Sequence, residues 1–573
     1  METMRGVAGS PGIGIGRVMV IEEPNLEYES RAVEDADAEL GRLHRAFEGF
    51  KSFTEAQASS MRANVGEKEA EILTGHIGML ADPYFQGEIE RLVGEGSCAE
   101  DACVKICEQF AQMFEATGDE LTMQRATDIR DIEQGLLAEL LNKRPVQMSA
   151  LPQNTVIVTH DLTPSMAAEI NPSLVAGIVT ETGGITSHSA ILARAMGIPA
   201  VLSVADATSV LSDNEHAIID GGEGVVVSSP TDEQVKAAKS AREVYIREQA
   251  ENAAFVGNRT VTADGKQVDL FANISKAKDA QQALDNDAEG IGLFRTEFIF
   301  MDSDAMPTEE EQFKAYKQAA LAMKGKPVII RTLDVGGDKQ IDYLGLEHED
   351  NPFLGFRAVR FCLAREDVYR TQLRALLRAS AFGDIRIMVP LVTCVDEMTQ
   401  VRELVQRYVD EFDREGVAYD HDIKVGCMIE TPAAAIMADA LAAVADFFSI
   451  GTNDLTGYIM CADRGNDHVR YLYNAFNPAV LRAIRNVISA GNAAGIPVGM
   501  CGEAAADPLL VPLWISFGLD EYSVSPTSVL GTRRQIYSWS KADADRLADV
   551  VMAQTTATAA NEVLRKAYQD HRG

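Results

Sequence analysis

The chain has 573 residues and a formal net charge of −34, and we expect two to four domains because one hydrophobic core cannot serve this length. The acidic balance argues against nucleic acid and anionic membranes as partners. No run of 18 apolar residues predicts a membrane span, and Met1 to Pro24 lacks a basic start followed by an apolar core. We therefore expect a cytoplasmic protein. The eight cysteines include no CxxC pair, which favours reduced thiols over a disulfide framework.

The first 230 residues predict an α/β domain that is interrupted by a helical insertion. The start, GVAGSPGIGIGRVMVIEEP, predicts a loop and one strand, and short β-branched runs return as NTVIVTH, VAGIVTE, AVLSV, HAIIDGG and GVVVSS. Residues 31–143 are acidic and rich in Leu, Ala and Glu with helical spacing, which predicts about four helices. We assign residues 1–30 and 144–230 to one α/β domain and 31–143 to an inserted helical domain.

A charged segment follows this domain. Residues 231–254, TDEQVKAAKSAREVYIREQAENAA, predict a helix with few large apolar positions that could span roughly 35 Å at about 1.5 Å per residue. An ordinary surface helix is one interpretation. Its place between two different compositions favours the other, a linker, which we assign to 231–256.

The remainder, 257–573, predicts a barrel because apolar runs alternate with helical segments. Eight runs have the character of strands: VDLFANI, GIGLFRTEF, PVIIRTLDVGG, IRIMVPLV, KVGCMIETP, FFSIGTND, IPVGMCGEA and EYSVSP. Eight strands separated by helices over about 280 residues are typical of a (β/α)8 barrel of the TIM type. A doubly wound open sheet is the alternative, and the strand count favours the barrel.

Six of these strands end in polar or charged residues. The C-terminal ends of barrel strands gather at one mouth, where such enzymes place their active sites. The mixture of arginines and carboxylates there therefore favours a functional site over polar turns. The residues are Asn273, Arg295 with Glu297, Arg331 with Asp334, Glu430, Asn453 with Asp454, and Cys501 with Glu503.

The arginines predict a small, multiply charged anion as the ligand. Arg295, Arg331 and Arg464 carry planar guanidinium groups that suit phosphate and carboxylate oxygens, and the negative net charge makes such a local cluster necessary for any anionic substrate. The alternative is an ordinary ion-pair network, a role that is also open to Arg357 and Arg360.

The carboxylates and the cysteine suggest further roles at the same mouth. Glu430 and Asp454 follow adjacent strands and suit Mg²⁺, which prefers oxygen ligands and shares substrate oxygens. Asn453 could supply an amide donor beside them. Cys501 follows an apolar strand, where a cysteine is usually inert packing. At a strand end it could instead act as an acid towards a carbanion or enolate.

A second candidate site is the stretch ETGGITSHSAILARAMGIPA, in which His188 stands at the start of a predicted helix. No second histidine or cysteine lies at zinc-ligand spacing, and no P-loop lysine follows. A neutral imidazole is a competent nucleophile towards phosphorus, and a helix N-terminus suits the phosphate it would carry. Thr186 and Ser187 offer hydroxyl donors, and Gly183 and Gly184 allow close backbone approach. A capping or packing histidine is an equally open interpretation of these residues alone.

The motifs as a set resemble a known family. GGITSHSAILAR is similar to the phosphohistidine motif of phosphoenolpyruvate-using phosphotransferases. Later stretches of this chain look like successive signatures of that family's phosphoenolpyruvate-binding barrel. They are GLFRTEFIFMD, PVIIRTLDVGGDK, NPFLGFRAVR, ASAFGDIRIMVP, GCMIETPAAA, DFFSIGTNDLTGY and GMCGEAAADP. With EKEAEILTGHIGML in the helical insertion, the chain resembles Enzyme I of the bacterial sugar phosphotransferase system from about Gly6 to Tyr537.

The resemblance implies a two-step phosphoryl transfer. Phosphoenolpyruvate would bind at the barrel mouth with Mg²⁺, and His188 would take its phosphoryl group on Nε2 while pyruvate leaves. The group would then pass to a histidine of the phosphocarrier protein HPr, docked on the helical insertion, where His76 is a contact or packing residue. The α/β domain would swing about residues 231–256, and the barrel domain would form a homodimer.

The resemblance also implies roles for single residues. Arg295, Arg331, Asn453, Asp454 and Arg464 would bind the substrate. Glu430 and Asp454 would hold the metal ion, and Cys501 would protonate the enolate. Two positions depart from the family's pattern: Gly457 stands where many members have a larger polar residue, and Phe356 where a tryptophan is common.

Three rival functions are less well supported. A pyruvate phosphate dikinase or phosphoenolpyruvate synthase needs an ATP-binding domain, and we find no glycine-rich nucleotide loop with a lysine. The nitrogen-related paralogue of Enzyme I carries a further N-terminal domain, which we do not expect here. A non-catalytic phosphoenolpyruvate sensor would not need His188, Glu430, Asp454 and Cys501 together.

Overall fold

The computed structural model of the chain divides into two compact units, Met1–Glu248 and Gln249–Gly573. None of its described helices is both long and apolar enough to cross a membrane. The described residues are 2–21, 26–33, 35–64, 67–115, 120–143, 151–184, 187–301, 303, 305–336, 341–463, 466 and 468–572.

The first unit contains an eight-stranded mixed sheet with the strand order β1-β8-β7-β3-β4-β5-β6-β2. The prediction of a loop and one strand for the segment that begins at Gly6 is wrong, because it forms two strands, and a further strand precedes it, which makes three in all. Gly12, at φ +123°, lies between the second and third of them, a conformation that favours glycine. The strands are β1 (Glu2–Arg5), β2 (Val7–Ser10), β3 (Ile13–Ile21), β4 (Thr155–Thr159), β5 (Val175–Thr180), β6 (Ala200–Leu202), β7 (His216–Asp220) and β8 (Val225–Ser228).

The helical insertion between β3 and β4 has five helices among the described residues, one more than predicted. The extra boundary arises at Asp82, whose side chain accepts hydrogen bonds from the backbone N–H groups of Tyr84 and Phe85, with Pro83 at the first helical position. The helices are α1 (Ala36–Asn64), α2 (Glu67–Leu80), α3 (Pro83–Gly94), α4 (Ala99–Glu115) and α5 (Glu120–Leu141).

Four more helices complete this part of the chain: α6 (Pro164–Glu169), α7 (His188–Met196), α8 (Ala207–Val210) and α9 (Asp232–Ala253). The predicted charged helix is thus present as α9, which has no buried residue along its length. The boundary between the two units falls inside it, after Glu248. Beyond that boundary, Glu251 pairs with Arg534 and the Phe255 ring lies 5.4 Å from that of Tyr537, so the end of this segment packs within the second unit.

The second unit is a closed barrel of eight parallel strands, as predicted. Its strands are β9 (Asp269–Ile274), β10 (Ile291–Arg295), β11 (Val328–Arg331), β12 (Ile385–Val389), β13 (Lys424–Ile429), β14 (Phe448–Ile450), β15 (Val498–Met500) and β16 (Glu521–Val524). The helices are α10 (Asp279–Asp285), α11 (Glu297–Met301), α12 (Glu309–Ala322), α13 (Ala358–Ala364), α14 (Glu366–Ser380), α15 (Val395–Glu415), α16 (Pro432–Ile436), α17 (Ala438–Ala442), α18 (Thr452–Met460), α19 (Pro478–Ala494), α20 (Val511–Phe517), α21 (Val529–Ser538), α22 (Lys541–Met552) and α23 (Ala557–Arg572).

The inside of the barrel is filled by side chains, because every second residue of a strand points inward. Six apolar side chains and one thiol form one buried cluster there: Phe271, Leu293, Ile329, Met388, Met428, Phe447 and Cys501. The charged residues at the C-terminal ends of the strands therefore lie above this apolar cluster.

Candidate active site

The polar residues that the sequence places after the strands lie at one end of the barrel. Arg295 and Arg331 are the last residues of β10 and β11 and are direct register partners. Glu430 follows β13, Asn453 and Asp454 lie in the first turn of α18 after β14, and Cys501 follows β15.

Arg331 is the centre of a buried ion network. Its Nη2 pairs with Glu297 and lies 3.2 Å from Asp334 Oδ2, and its Nη1 lies 3.8 Å from Met428 Sδ. Burial would lower the pKa of Arg331, but Glu297, Asp334 and Glu430 together raise it well above its ordinary value. Arg331 is therefore a permanent cation that is paired with Glu297 and Asp334 at the mouth.

Arg357 extends this network although it does not follow a strand. Its Nη2 donates to Asp334 Oδ1 at 2.7 Å and lies 3.7 Å from Asp454 Oδ2, and its Nη1 donates to Tyr458 Oη at 3.4 Å. Burial opposes its charge, yet Asp334 and Asp454 raise the pKa of Arg357. From the sequence, Arg357 was open to a role in an ordinary ion-pair network. It does not follow a strand, so the pattern of polar residues at strand ends did not connect it with Asp454.

Arg295 differs from these two arginines. It has no hydrogen bond or ion pair with any of the described residues, although its register partner Arg331 is fully engaged. Burial and the neighbouring Arg331 charge lower the pKa of Arg295. Two adjacent cations, one without a carboxylate, attract a multiply charged anion to this point.

Glu430 and Asp454 follow the neighbouring strands β13 and β14. Glu430 is buried and accepts a hydrogen bond from the Leu391 backbone N–H at 2.7 Å. Burial and the Asp454 charge raise the pKa of Glu430 to about 8. Two carboxylates that repel each other favour a shared cation, and carboxylate oxygens suit a hard divalent ion. Over the described ranges there is no cluster of three or more His, Cys, Asp or Glu side chains placed to hold a metal ion.

Asn453 lies beside these carboxylates at the edge of a cavity of about 430 Å³. Its side-chain N–H donates to Glu503 Oε1 at 3.3 Å, and its side-chain oxygen accepts a hydrogen bond from the Glu503 backbone N–H at 3.2 Å. Its backbone carbonyl accepts a hydrogen bond from Tyr473 Oη at 3.0 Å. Gly457 lines the same cavity, and a Cβ at this position would lie 3.3 Å from the carbonyl oxygen of Ala462. The departure at position 457 thus affects the shape of this cavity. The other departure, Phe356, is partly exposed and packs edge-on against Phe361.

Cys501 is buried at the inner edge of the site. Burial raises the pKa of its thiol to about 11, and the hydroxyl of Ser449 partly offsets this effect. The Asn273 amide donates to the Cys501 carbonyl at 3.1 Å and so fixes the backbone that carries the thiol. A thiol with this pKa is protonated at neutral pH, as a proton donor must be.

In the other unit, helix α7 begins at His188. The Ser187 hydroxyl accepts a hydrogen bond from the Ala190 N–H at 3.3 Å as the helix N-cap, and Gly183 adopts φ +102° in the preceding loop. On the neighbouring loop, Asp161 accepts a hydrogen bond from Ser189 at 2.5 Å. The backbone of His188 therefore stands in the first turn, where free N–H groups attract anions.

Two of the predicted site residues, Thr186 and Arg464, lie outside the described residues. His76, by contrast, is fully described inside the helical insertion. Its Nε2 lies 3.2 Å from Asp128 Oδ1 and its Nδ1 lies 3.4 Å from Asp131 Oδ2. It is buried, so packing is the role that its position supports.

A barrel with this mouth belongs to a class of enzymes that act on phosphoenolpyruvate. Three family models match the chain: "PEP-utilising enzyme, N-terminal" over residues 5–125, "PEP-utilising enzyme, mobile domain" over 151–224, and "PEP-utilising enzyme, PEP-binding domain" over 249–540.

Full-length relatives narrow this class to one family. The chain is 42% identical to the phosphoenolpyruvate-protein phosphotransferase of Priestia megaterium, over 99% of each chain. It is 45% identical to that of Geobacillus stearothermophilus, over 97% of this chain and 96% of the relative, and 41% identical to that of Bacillus subtilis, over 97% and 98%. The chain belongs to the phosphoenolpyruvate-protein phosphotransferase family, also called Enzyme I, a family of transferases.

Proposed function

We propose that this protein transfers the phosphoryl group of phosphoenolpyruvate to Nε2 of His188 and then to a histidine of the phosphocarrier protein HPr. The observation that carries the proposal is Arg295, a half-buried guanidinium without a partner among the described residues, beside the engaged Arg331. Together they offer positive charge where a phosphate and a carboxylate must both be held. Arg464 and the Asn453 amide complete the set of substrate-binding groups that we propose.

The chemistry follows from this placement. The imidazole of His188 attacks phosphorus, the P–O bond to the enol oxygen breaks, and the electron pair of that bond leaves with enolpyruvate. Phosphoryl transfer asks of a protein mainly positioning and charge neutralisation, which fixed arginines supply without reorganisation. The Cys501 thiol then donates its proton to C3 of the enolate, and pyruvate leaves.

Glu430 and Asp454 fit a resident Mg²⁺. Their oxygens are the ligand type that this ion prefers. Burial first, and then the like charge of Asp454, raise the pKa of Glu430, and a bound cation would oppose both effects. When bound, Mg²⁺ neutralises negative charge on the substrate oxygens. Asp454 also contacts Arg357 at 3.7 Å, so the same carboxylate connects the metal ligands with the arginine network and helps to bind the substrate.

We further propose that the protein acts in the cytoplasm as a homodimer formed by its barrel domain, with HPr docking on the helical insertion. The segment 231–256 would let the α/β domain carry His188 from the barrel to HPr. Support for the flexible segment is the α9 helix itself, which has no buried residue and contains the boundary between the two compact units.

The test uses phosphoenolpyruvate labelled in its phosphoryl group, with Mg²⁺ and with or without HPr. We expect acid-labile label on the wild-type chain, transfer of the label to HPr, and no label on His188→Ala. His216→Ala, at an exposed position on β7, is the matched control and should label normally. Label retained by His188→Ala would contradict the proposal. Label that leaves only to AMP and pyrophosphate would instead identify a dikinase.

A further inference from the structure

Behind the mouth, a chain of buried polar side chains joins the ends of strands β10 and β11 to helix α14. Thr296 lies between the end of β10 and the start of α11 and has no exposed surface, and Gln372 on α14 is 1% exposed. The chemistry proposed above uses neither side chain. Burial of such groups is costly unless their hydrogen bonds are made, so their partners indicate what they hold in place.

The hydrogen bonds of this chain have one consistent direction. Gln372 Oε1 accepts from the Leu333 backbone N–H at 2.8 Å, which fixes the orientation of the amide group. Gln372 Nε2 donates to Thr296 Oγ1 at 3.1 Å and to Tyr316 Oη at 3.2 Å. Since Thr296 Oγ1 accepts this bond, its own hydrogen points to the Arg331 backbone carbonyl, which accepts it at 2.9 Å. The Thr296 hydroxyl is therefore a committed donor to the end of the strand that carries Arg331.

Helix α12 holds the far side of the same amide group. The Tyr316 hydroxyl donates to Gln312 Oε1 at 3.1 Å, and Gln312 Nε2 donates to the Pro307 carbonyl at 3.0 Å. Tyr316 and Gln312 are both fully buried. A buried polar network with its hydrogen bonds made restricts its members to one arrangement. Gln372 thus holds the Thr296 hydroxyl from a fixed position.

The network ends on the two segments that carry the arginines of the mouth. Thr296 directly follows Arg295 and directly precedes Glu297 in the sequence. Arg295 and Arg331 form the last register pair of β10 and β11, and the bond from Thr296 to the Arg331 carbonyl extends the connection between the two strands beyond that pair. One buried hydroxyl therefore ties together the two backbone segments whose guanidinium groups we propose bind the substrate.

We propose that Thr296 and Gln372 are positioning residues that fix the spacing of Arg295 and Arg331 for phosphoenolpyruvate, an inference that rests on the proposed function. Both act through the arginines and do not touch the substrate. Guanidinium groups stabilise a transferring phosphoryl group best when they are already in place, and a displacement of about 1 Å can cost about 10²-fold in rate. Loss of the Thr296 hydroxyl would break the link between the strand ends but leave the ion pairs of Arg331 intact.

The test compares Thr296→Val, which keeps the shape and removes the hydroxyl, with Thr296→Ser, which keeps the hydroxyl. With the full chain, phosphoenolpyruvate, Mg²⁺ and HPr, kcat/KM for phosphoenolpyruvate should fall at least about tenfold in Thr296→Val and stay within about twofold of the wild type in Thr296→Ser. Exchange of label between phosphorylated HPr and His188 needs no barrel site and should be unchanged in both variants. Gln372→Met should behave like Thr296→Val, and it decides the question if Thr296→Val does not fold.

Thr262→Val is the matched control. Thr262 is buried on the segment that enters β9, at the end of the barrel opposite the mouth. Its hydroxyl donates to Asp264 Oδ1 at 2.5 Å and accepts from the Lys266 backbone N–H at 3.0 Å. This variant loses a buried hydroxyl of the same kind, and its kcat/KM for phosphoenolpyruvate should stay within about twofold of the wild type.

Four outcomes would overturn the positioning role. They are a wild-type kcat/KM in Thr296→Val, an equal loss in Thr296→Ser, which would assign the effect to packing of the methyl group, an equal loss in Thr262→Val, and a comparable loss of the exchange between HPr and His188. The last two would show general damage to the chain. Absence of label from His188 in the wild type supplied with phosphoenolpyruvate would instead refute the proposed function itself.

Discussion

Glu521→Gln should stabilise the barrel at neutral pH, because Glu521 is a buried carboxyl group at the first residue of β16, at the end of the barrel opposite the mouth. The carboxyl group has a pKa of about 8 in the folded barrel against an ordinary value of 4.5. Between these values the folded chain holds a proton that the unfolded chain releases, so the free energy of unfolding falls as the pH rises. Each pH unit in this window lowers the free energy of unfolding by about 1.4 kcal/mol. Relative to pH 4.5, the loss is about 3 kcal/mol at pH 7 and about 5 kcal/mol above pH 8.

Glutamine has nearly the same shape as a protonated glutamate and does not ionise, so the free energy of unfolding of the variant does not fall with pH for this reason. We expect it to match the wild type near pH 4.5 and to exceed its free energy of unfolding by about 3 kcal/mol at pH 7. Urea unfolding followed by tryptophan emission measures this directly. The chain has two tryptophans, Trp514 and Trp539, and both lie in the barrel unit, so the signal reports that unit alone.

The control for this measurement is Glu403→Gln, on the exposed face of α15. It should change the free energy of unfolding by less than about 0.5 kcal/mol at each pH, as most exposed substitutions do. Parallel pH dependences for the wild type and Glu521→Gln would show that Glu521 is ionised in the folded barrel. That result would refute the stability argument.

Arg295→Ala should lower kcat/KM for phosphoenolpyruvate by about 10²–10³-fold with little loss of stability, because this guanidinium binds charge in the substrate and breaks no ion pair on removal. Arg331→Ala should lower activity and also destabilise the barrel by about 3–5 kcal/mol in the urea assay, because it removes the cation paired with buried Glu297 and leaves Asp334 with Arg357 alone. His76→Ala should destabilise the helical insertion, measured by far-UV ellipticity in urea. Asp128 and Asp131 raise the pKa of His76 above 6.5, so the contribution of this charge pairing to the free energy of unfolding is complete below pH 6.5 and is lost as the pH rises through the raised value. The same difference in free energy of unfolding between wild type and His76→Ala at pH 6 and at pH 10 would contradict the charge pairing.

The barrel was predictable from its sequence because its strands are continuous apolar runs separated by helices. The same regularity located the residues at the mouth, since a polar residue directly after such a run must lie at the C-terminal end of the barrel. The prediction was wrong for the segment that begins at Gly6, where the four-residue strand β2 lies in what the sequence presents as a glycine-rich loop before β3.

Arg357 and Glu521 show what sequence position does not reveal. Arg357 comes from a loop before α13, and only the folded chain brings it within 3.7 Å of Asp454. Glu521 opens its strand, so a search of strand ends does not find it. Its register partner Gly499 lies on the neighbouring strand β15 and meets it only in the folded barrel.

The two ends of the barrel interior treat buried charge in opposite ways. At the mouth, Arg331 has Glu297 and Asp334 as partners, so ion pairs there offset part of the cost of burying its charge. At the floor, Arg386 is already held by Asp384, and Glu521 remains a neutral acid. Cys501 lies between these environments, with fixed charge towards the substrate and a held proton behind it. The cost of burying an acidic group is therefore reduced by pairing at the mouth and by protonation at the floor.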